Sequence, residues 1–142
     1  MVLKDAVSKV VTRFHQLVYD LSNGKVVGKA SGMPVLKLTT VGRKSGQPRS
    51  TMLTSPLVEG ENVIVVASNG GDDRPPMWYS NLIANPDVDI VMNGSARPMR
   101  AQVAEGDERT RLWEALAAKH VRYAGYQRKT SRQIPVVVLE PR

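Results

Sequence analysis

From Val35 to Leu53 the chain runs VLKLTTVGRKSGQPRSTML. An apolar-leaning run, VLKLTT, enters GRKSGQP, and a second extended run, RSTML, leaves it. Two glycines and a proline within seven residues mark a turn, so the stretch predicts a hairpin: strand, tight basic loop, strand. Arg43 and Lys44 sit in the loop and Arg49 just past it. Gly42 and Gly46 carry no side chains, which lets a ligand approach the loop backbone. Three cations and free backbone N–H groups on one turn form a candidate anion cradle. Read on its own, the loop is equally well an exposed turn with solvated Arg and Lys. It is not a P-loop: the glycines are four apart, no Lys follows the second, and a strand rather than a helix comes next.

Outward from the hairpin, composition bounds the rest. A chain of 142 residues suits one domain with a single core, and 42% hydrophobic with 23% charged residues is globular rather than disordered. No apolar run approaches the roughly 20 residues that span a bilayer. No signal peptide is visible and cysteine is absent, so a cytoplasmic location is the expectation, with no thiolate metal site. The net charge of +7 points to an anionic partner. Aromatics at 5% are few for a base-stacking platform, so a nucleic-acid partner ranks last. The two histidines lie far apart without metal spacing, and no metal is expected.

Upstream, residues 3–22 carry Leu3, Val7, Val10, Phe14, Leu17 and Leu21 at helical spacing, and Asn23-Gly24 ends the pattern. An amphipathic helix over residues 1–24, lying on the core, is predicted; peripheral contact with a membrane is its sharper alternative. Residues 25–34 read as irregular. Downstream, Val63–Ala67 (VIVVA) reads as a buried strand that stops at SNGGDD, where a site can open. Pro75-Pro76 starts a short helix, MWYSNLIA, closed by Asn85-Pro86. Asp87–Met92 and residues 97–104 form two strands joined at Asn93-Gly94. Asp107 is the expected cap of a helix that buries Leu112, Trp113, Leu116 and Ala117, and Ile134–Leu139 is the last strand. Strands linked by hairpins, without regular helix alternation, predict a mainly β, α+β fold: an antiparallel barrel with an N-terminal helix and two or three short helices, as one domain over 1–142.

Four blocks, LTTVGRKSGQPRSTML, VASNGGDDRPPMWYSNLIANPDV, RLWEAL and GYQRKTSRQIPVVVLEP, in this order and spacing, resemble the deazaflavin-dependent nitroreductase family. The likeness covers residues 15–142. It implies a split β-barrel oxidoreductase that transfers a hydride from reduced coenzyme F420 to an electron-poor small molecule such as a quinone, nitroaromatic or activated enone. By the same resemblance, Arg43, Lys44 and Arg49 match the loop that holds the phosphate of the cofactor side arm. Ser50, Thr51 and Met52 match the segment beside the deazaflavin ring, and Ala67, Ser68 and Asn69 the strand end that lines its pocket. Met77 and Trp78 match residues that close over the cofactor, with Asn81 one turn beyond. Ser68, Tyr123 and Tyr126 match the substrate side, as candidate catalytic residues. Two plainer readings stand beside these: Trp78 as core, and Tyr123 and Tyr126 as a packing pair three residues apart. His120 reads as a helix-end histidine. A flavin mononucleotide enzyme is the alternative on the same fold, and a non-catalytic deazaflavin carrier a further one. The oligomeric expectation is monomer or homodimer.

Overall fold

A computed structural model describes residues 29–30 and 32–142. The N-terminal helix expected over 1–24, and with it the membrane contact, lies outside the described residues.

Among the described residues, eight strands, three α-helices and one short 3-10 helix (Asn69–Gly71, between β5 and α1) occur, the strands and α-helices following one another as β1 (Lys29–Ala30), β2 (Met33–Val41), β3 (Pro48–Thr54), β4 (Leu57–Glu59), β5 (Asn62–Val66), α1 (Met77–Ala84), β6 (Asp87–Met92), β7 (Ser95–Val103), α2 (Gly106–Lys119), α3 (Arg122–Arg128) and β8 (Val136–Pro141). Every pairing is antiparallel. The sheet runs β1-β2-β6-β7-β8-β5-β4, and β3 pairs with β2 off that path. β2 is thus the trunk. It pairs with β3 through seven residues, Val35↔Thr54 to Val41↔Pro48, and with β6 from Leu36↔Met92 to Thr39↔Asp89.

Side-chain alternation on the strands sorts the core into two clusters. Leu36 and Leu38 of β2, Val63 and Val65 of β5, Val88, Ile90 and Met92 of β6, Met99 and Ala101 of β7, and Val137 and Leu139 of β8 meet on one face. α1 adds Trp78 and Leu82 to them. On the other face, Ile64, Val136 and Val138 join Met33 beneath Leu112 and Leu116 of α2 and Tyr123 of α3. The continuous apolar runs VIVV and VVVL follow from this arrangement: β5 and β8 are buried on both sides. β6, with exposed Asp87 and Asp89 alternating with buried Val88 and Ile90, covers the core on one side only.

Several boundaries differ from the sequence reading. β2 begins at Met33 and β1 precedes it, inside the stretch expected to be irregular; Pro34 fits because its carbonyl accepts from Ser55 N–H at 2.9 Å. β5 and β7 each start and stop slightly before their expected ends. β8 starts at Val136, since Pro135 has no N–H for a ladder and the Ile134 N–H donates instead to Gln127 Oε1 at 2.9 Å. α2 is capped by Glu105, not Asp107; Asp107 and Glu108 stand in the first turn, where their charges meet the positive end of the helix dipole.

Ser55 closes the bend from β3 into β4. It is 1% exposed, and its hydroxyl faces the carbonyls of Ile64 at 2.6 Å and Leu57 at 2.9 Å. Ser55→Ala leaves the Ile64 carbonyl short of a donor in a buried place and is expected to cost about 1–3 kcal/mol, read as a shift in the denaturant midpoint.

Candidate functional site

The hairpin loop, the strand end after β5 and the start of α1 enclose a cleft of about 740 Å³. One wall is basic: Arg43, Lys44 and Arg49, with Arg74 opposite. The other is apolar, formed by Pro75, Pro76, Met77 and Trp78. Ser50, Thr51, Asn69 and Asn81 supply polar groups between them. No acidic side chain lines the cleft among the described residues. Arg74 is held by Asp72 at 3.3 Å in an exposed pair, which contributes little. Among the described residues no carboxylate pairs with Arg43, Lys44 or Arg49. A cleft with unneutralised cations on one side and an indole on the other suits an anionic ligand with a flat apolar part.

The loop owes its shape to short backbone bonds. Gly42 N–H donates to the Gln47 carbonyl at 2.8 Å, and Gly46 N–H to the Gly42 carbonyl at 2.8 Å. Ser45 Oγ accepts from Gln47 N–H at 3.2 Å and from the Arg49 guanidinium at 3.3 Å. A Cβ on Gly42 would lie 2.6 Å from that Ser45 Oγ and 3.3 Å from the Gln47 carbonyl oxygen. Gly42→Ala is therefore expected to displace Ser45 and release Arg49, weakening anion binding several-fold at nearly unchanged thermal stability, as ligand titration beside a melting curve will show.

Asn81 joins this loop to α1. Trp78, Asn81 and Leu82 lie on one face of the helix, and all three are buried. The side-chain oxygen of Asn81 accepts from both the backbone N–H and the guanidinium of Arg43, each at 3.2 Å. Its amide donates to Thr40 Oγ1 at 3.2 Å.

The strand end is held from behind by Arg132. Its guanidinium donates to the carbonyls of Ala67 at 3.1 Å, Ser68 at 3.0 Å and Asp72 at 3.0 Å. Thr130 adds a bond to Asp73 at 2.7 Å, and Asn69 Nδ2 donates to the Arg74 carbonyl at 3.0 Å. α3 presses on the same turn: a Cβ on Gly71, whose φ is +87°, would meet the Tyr126 carbonyl oxygen at 2.8 Å.

Of the residues singled out in the sequence, Arg43, Lys44, Arg49, Ser50, Thr51, Asn69, Met77, Trp78 and Asn81 line one cleft. Trp78 serves as both wall and core, at 9% exposure, whereas Met77 is 70% exposed at the cleft rim. Five residues fall outside that lining among the described residues. Met52 lies further along β3, opposite Lys37. Ala67 is fully buried in the core, and Ser68 meets Arg132 through its carbonyl. Tyr123 is 5% exposed beneath α2, its hydroxyl 3.6 Å from Met33 Sδ. Burial pushes its phenol above the usual value, partly offset by a hydrogen bond with Thr54, so it is protonated at neutral pH. Tyr126 packs edge-on against Tyr123 at 5.9 Å, with the Lys129 ammonium 5.8 Å from its ring. His120 caps the end of α2 and meets Tyr123 edge-on at 6.4 Å. Thr40, Ser45, Arg74 and Arg132 were not singled out. Arg74 stands in the charged run DDRPP, a visible signal; the Arg132 guanidinium has its partners about sixty residues away.

The chain belongs to the F420H(2)-dependent quinone reductase family, whose model matches residues 11–141. Within that oxidoreductase class, it is 41% identical over 134 residues to an F420H(2)-dependent quinone reductase of Mycobacterium tuberculosis, covering 92% of this chain and 89% of that one. The solved structure of an F420-H2 dependent reductase (FDR-A) matches with a TM-score of 0.68 at 39% identity, over 75% of this chain and 94% of that one. A structure described as a domain-swapped dimer matches with a TM-score of 0.68 at 34% identity, over 89% of this chain and 98% of that one.

Proposed function

We propose that this chain is a split β-barrel enzyme that binds reduced coenzyme F420 in the cleft between the basic hairpin and α1 and reduces a quinone there. The observation that carries the reading is the pairing of an uncompensated basic wall, Arg43, Lys44 and Arg49, with the Met77–Trp78 wall across one cleft. The residues fit the coenzyme on chemistry. A side-arm phosphate needs guanidinium and backbone N–H donors, and a deazaflavin ring needs a flat apolar surface with a few polar edges.

When bound, reduced F420 supplies the hydride, and the protein supplies position, charge and exclusion of water. Arg43 and Arg49 would donate to the phosphate through their guanidinium groups, and Lys44 would add a point charge. Trp78 would offer the ring an apolar surface, and the exposed Met77 a flexible apolar contact. Ser50, Thr51 and Asn69 would supply hydrogen bonds to the ring's polar groups. Ser68 and Tyr126 lie outside the lining of this cleft among the described residues and are assigned no contact with the acceptor; Tyr123 is the ring that Tyr126 packs against. A phenol whose pKa burial raises, as at Tyr123, is a hydrogen-bond donor rather than an acid at neutral pH. Solvent water then completes protonation of the product.

The test is anaerobic. Reduced F420 is mixed with catalytic protein and a soluble naphthoquinone, and the return of oxidised F420 absorbance is followed. Quinone-dependent turnover that saturates in both reactants is expected. A rate no higher than that of the protein-free mixture contradicts the reading.

A further inference from the structure

Asn81 is 4% exposed in a largely apolar setting, with Trp78 and Leu82 beside it on the same helix face. A buried amide there costs free energy unless all its strong groups are paired. The pairing is specific. Both groups on one side, the backbone N–H and the guanidinium of Arg43, are obligatory donors, so the side-chain oxygen must face them. The amide nitrogen then faces Thr40 Oγ1, itself on a residue 2% exposed. One side chain of α1 thereby fixes both ends of Arg43, its backbone and its cation, and anchors that arrangement to β2.

We infer that Asn81 is a positioning residue: it acts on the bound anion through Arg43, by holding that guanidinium in place, rather than by touching the ring. Arg43 is exposed and its side chain is long, so free in water it would sample many rotamers. The Asn81 oxygen limits that freedom before a ligand arrives, and because it is neutral it leaves the full positive charge for the ligand. An aspartate would hold the same donors but cancel that charge. The inference rests on the coenzyme reading above and refines it, since it assigns Asn81 to the phosphate end of the cleft.

Two ligands separate this from a general structural role: F420 itself, and the deazaflavin core without its phosphate-bearing side arm. Binding of both is titrated by fluorescence to wild type, Asn81→Ala, Asn81→Asp, Arg43→Ala and the double variant Asn81→Ala/Arg43→Ala. Amide hydrogen exchange at Arg43 is followed in the same proteins without ligand. Asn81→Ala is expected to weaken F420 binding about 10-fold, the lower range for a hydrogen bond to a charged group, to leave the core ligand within about 2-fold, and to speed Arg43 exchange. The double variant is expected to bind F420 no more weakly than Arg43→Ala alone, because the two act as one unit. Asn81→Asp should keep Arg43 protected from exchange yet still weaken F420, which separates charge from position. Equal loss for both ligands in Asn81→Ala, full additivity in the double variant, or unchanged F420 affinity would overturn the inference while leaving the coenzyme reading intact. A wild-type protein that binds no F420 overturns both. Should Asn81→Ala not fold, Thr40→Val, which removes only the partner of the amide nitrogen, is expected to show the same ligand selectivity to a smaller degree; equal loss for both ligands there would also overturn it.

Discussion

Replacing Arg43 and Arg49 together by alanine is expected to raise the Kd for F420 by at least about 100-fold. Each guanidinium contributes charge-assisted hydrogen bonds, worth roughly 1.5–3 kcal/mol apiece, so about 3 kcal/mol or more disappears. The two residues reach the cleft by different supports. Arg43 is tied to Asn81 at 3.2 Å, and Arg49 leans on Ser45 at 3.3 Å. Neither has a carboxylate partner among the described residues, so removing them leaves no orphaned charge behind. Thermal stability should therefore stay near that of wild type while affinity collapses. Lys44→Ala alone is expected to cost less, because a flexible ammonium donates as a point charge. A double variant that binds F420 within a few-fold of wild type would remove the loop from the site.

The second large effect belongs to a residue with no place in the cleft lining. Arg132→Ala strips three carbonyls, those of Ala67, Ser68 and Asp72, of a charged donor at once. The loss is expected to be about 2–3 kcal/mol of stability, since the bonds share one guanidinium and do not add. For a chain of this size that lowers Tm by roughly 5–10 °C. Hydrogen exchange should accelerate first across residues 67–74, the turn that carries Asn69 and Arg74 to the cleft. Arg132→Lys is expected to recover little, because three carbonyls in different directions match a planar fork and not a single ammonium. Uniformly raised exchange throughout the chain would instead mean that Arg132 supports the whole fold.

The contrast between these two sites explains what the sequence made legible. The basic loop is local: Gly42, Gly46 and Pro48 bracket Arg43 and Lys44, with Arg49 next after Pro48, so turn chemistry alone locates it. α1 was equally plain, with Pro75-Pro76 before it and Asn85-Pro86 after it, and its observed span is the one expected. β6 matches for the same reason. What the pattern could not carry is contact between distant segments. Asn81 and Arg43 are 38 residues apart, and Arg132 lies more than sixty from the carbonyls of Ala67 and Ser68. An asparagine at a buried position of a short helix was the available hint, since a polar group placed with Trp78 and Leu82 must have partners. The tyrosines show the opposite case. Tyr123 and Tyr126 share a helix face as their spacing implies, but that face turns toward Met33 and the helical cluster rather than into the Arg43 cleft. The cap of α2 moved because Gly106, at φ +58°, takes a turn that begins the helix ahead of Asp107.

The most direct test is a fluorescence titration of the purified protein with F420, repeated with flavin mononucleotide. Micromolar or tighter binding of F420, weakened by added salt and lost in the Arg43/Arg49 double variant, is the predicted result. Binding of flavin mononucleotide with none of F420 would contradict the account, keeping the basic cleft but assigning it to a different coenzyme.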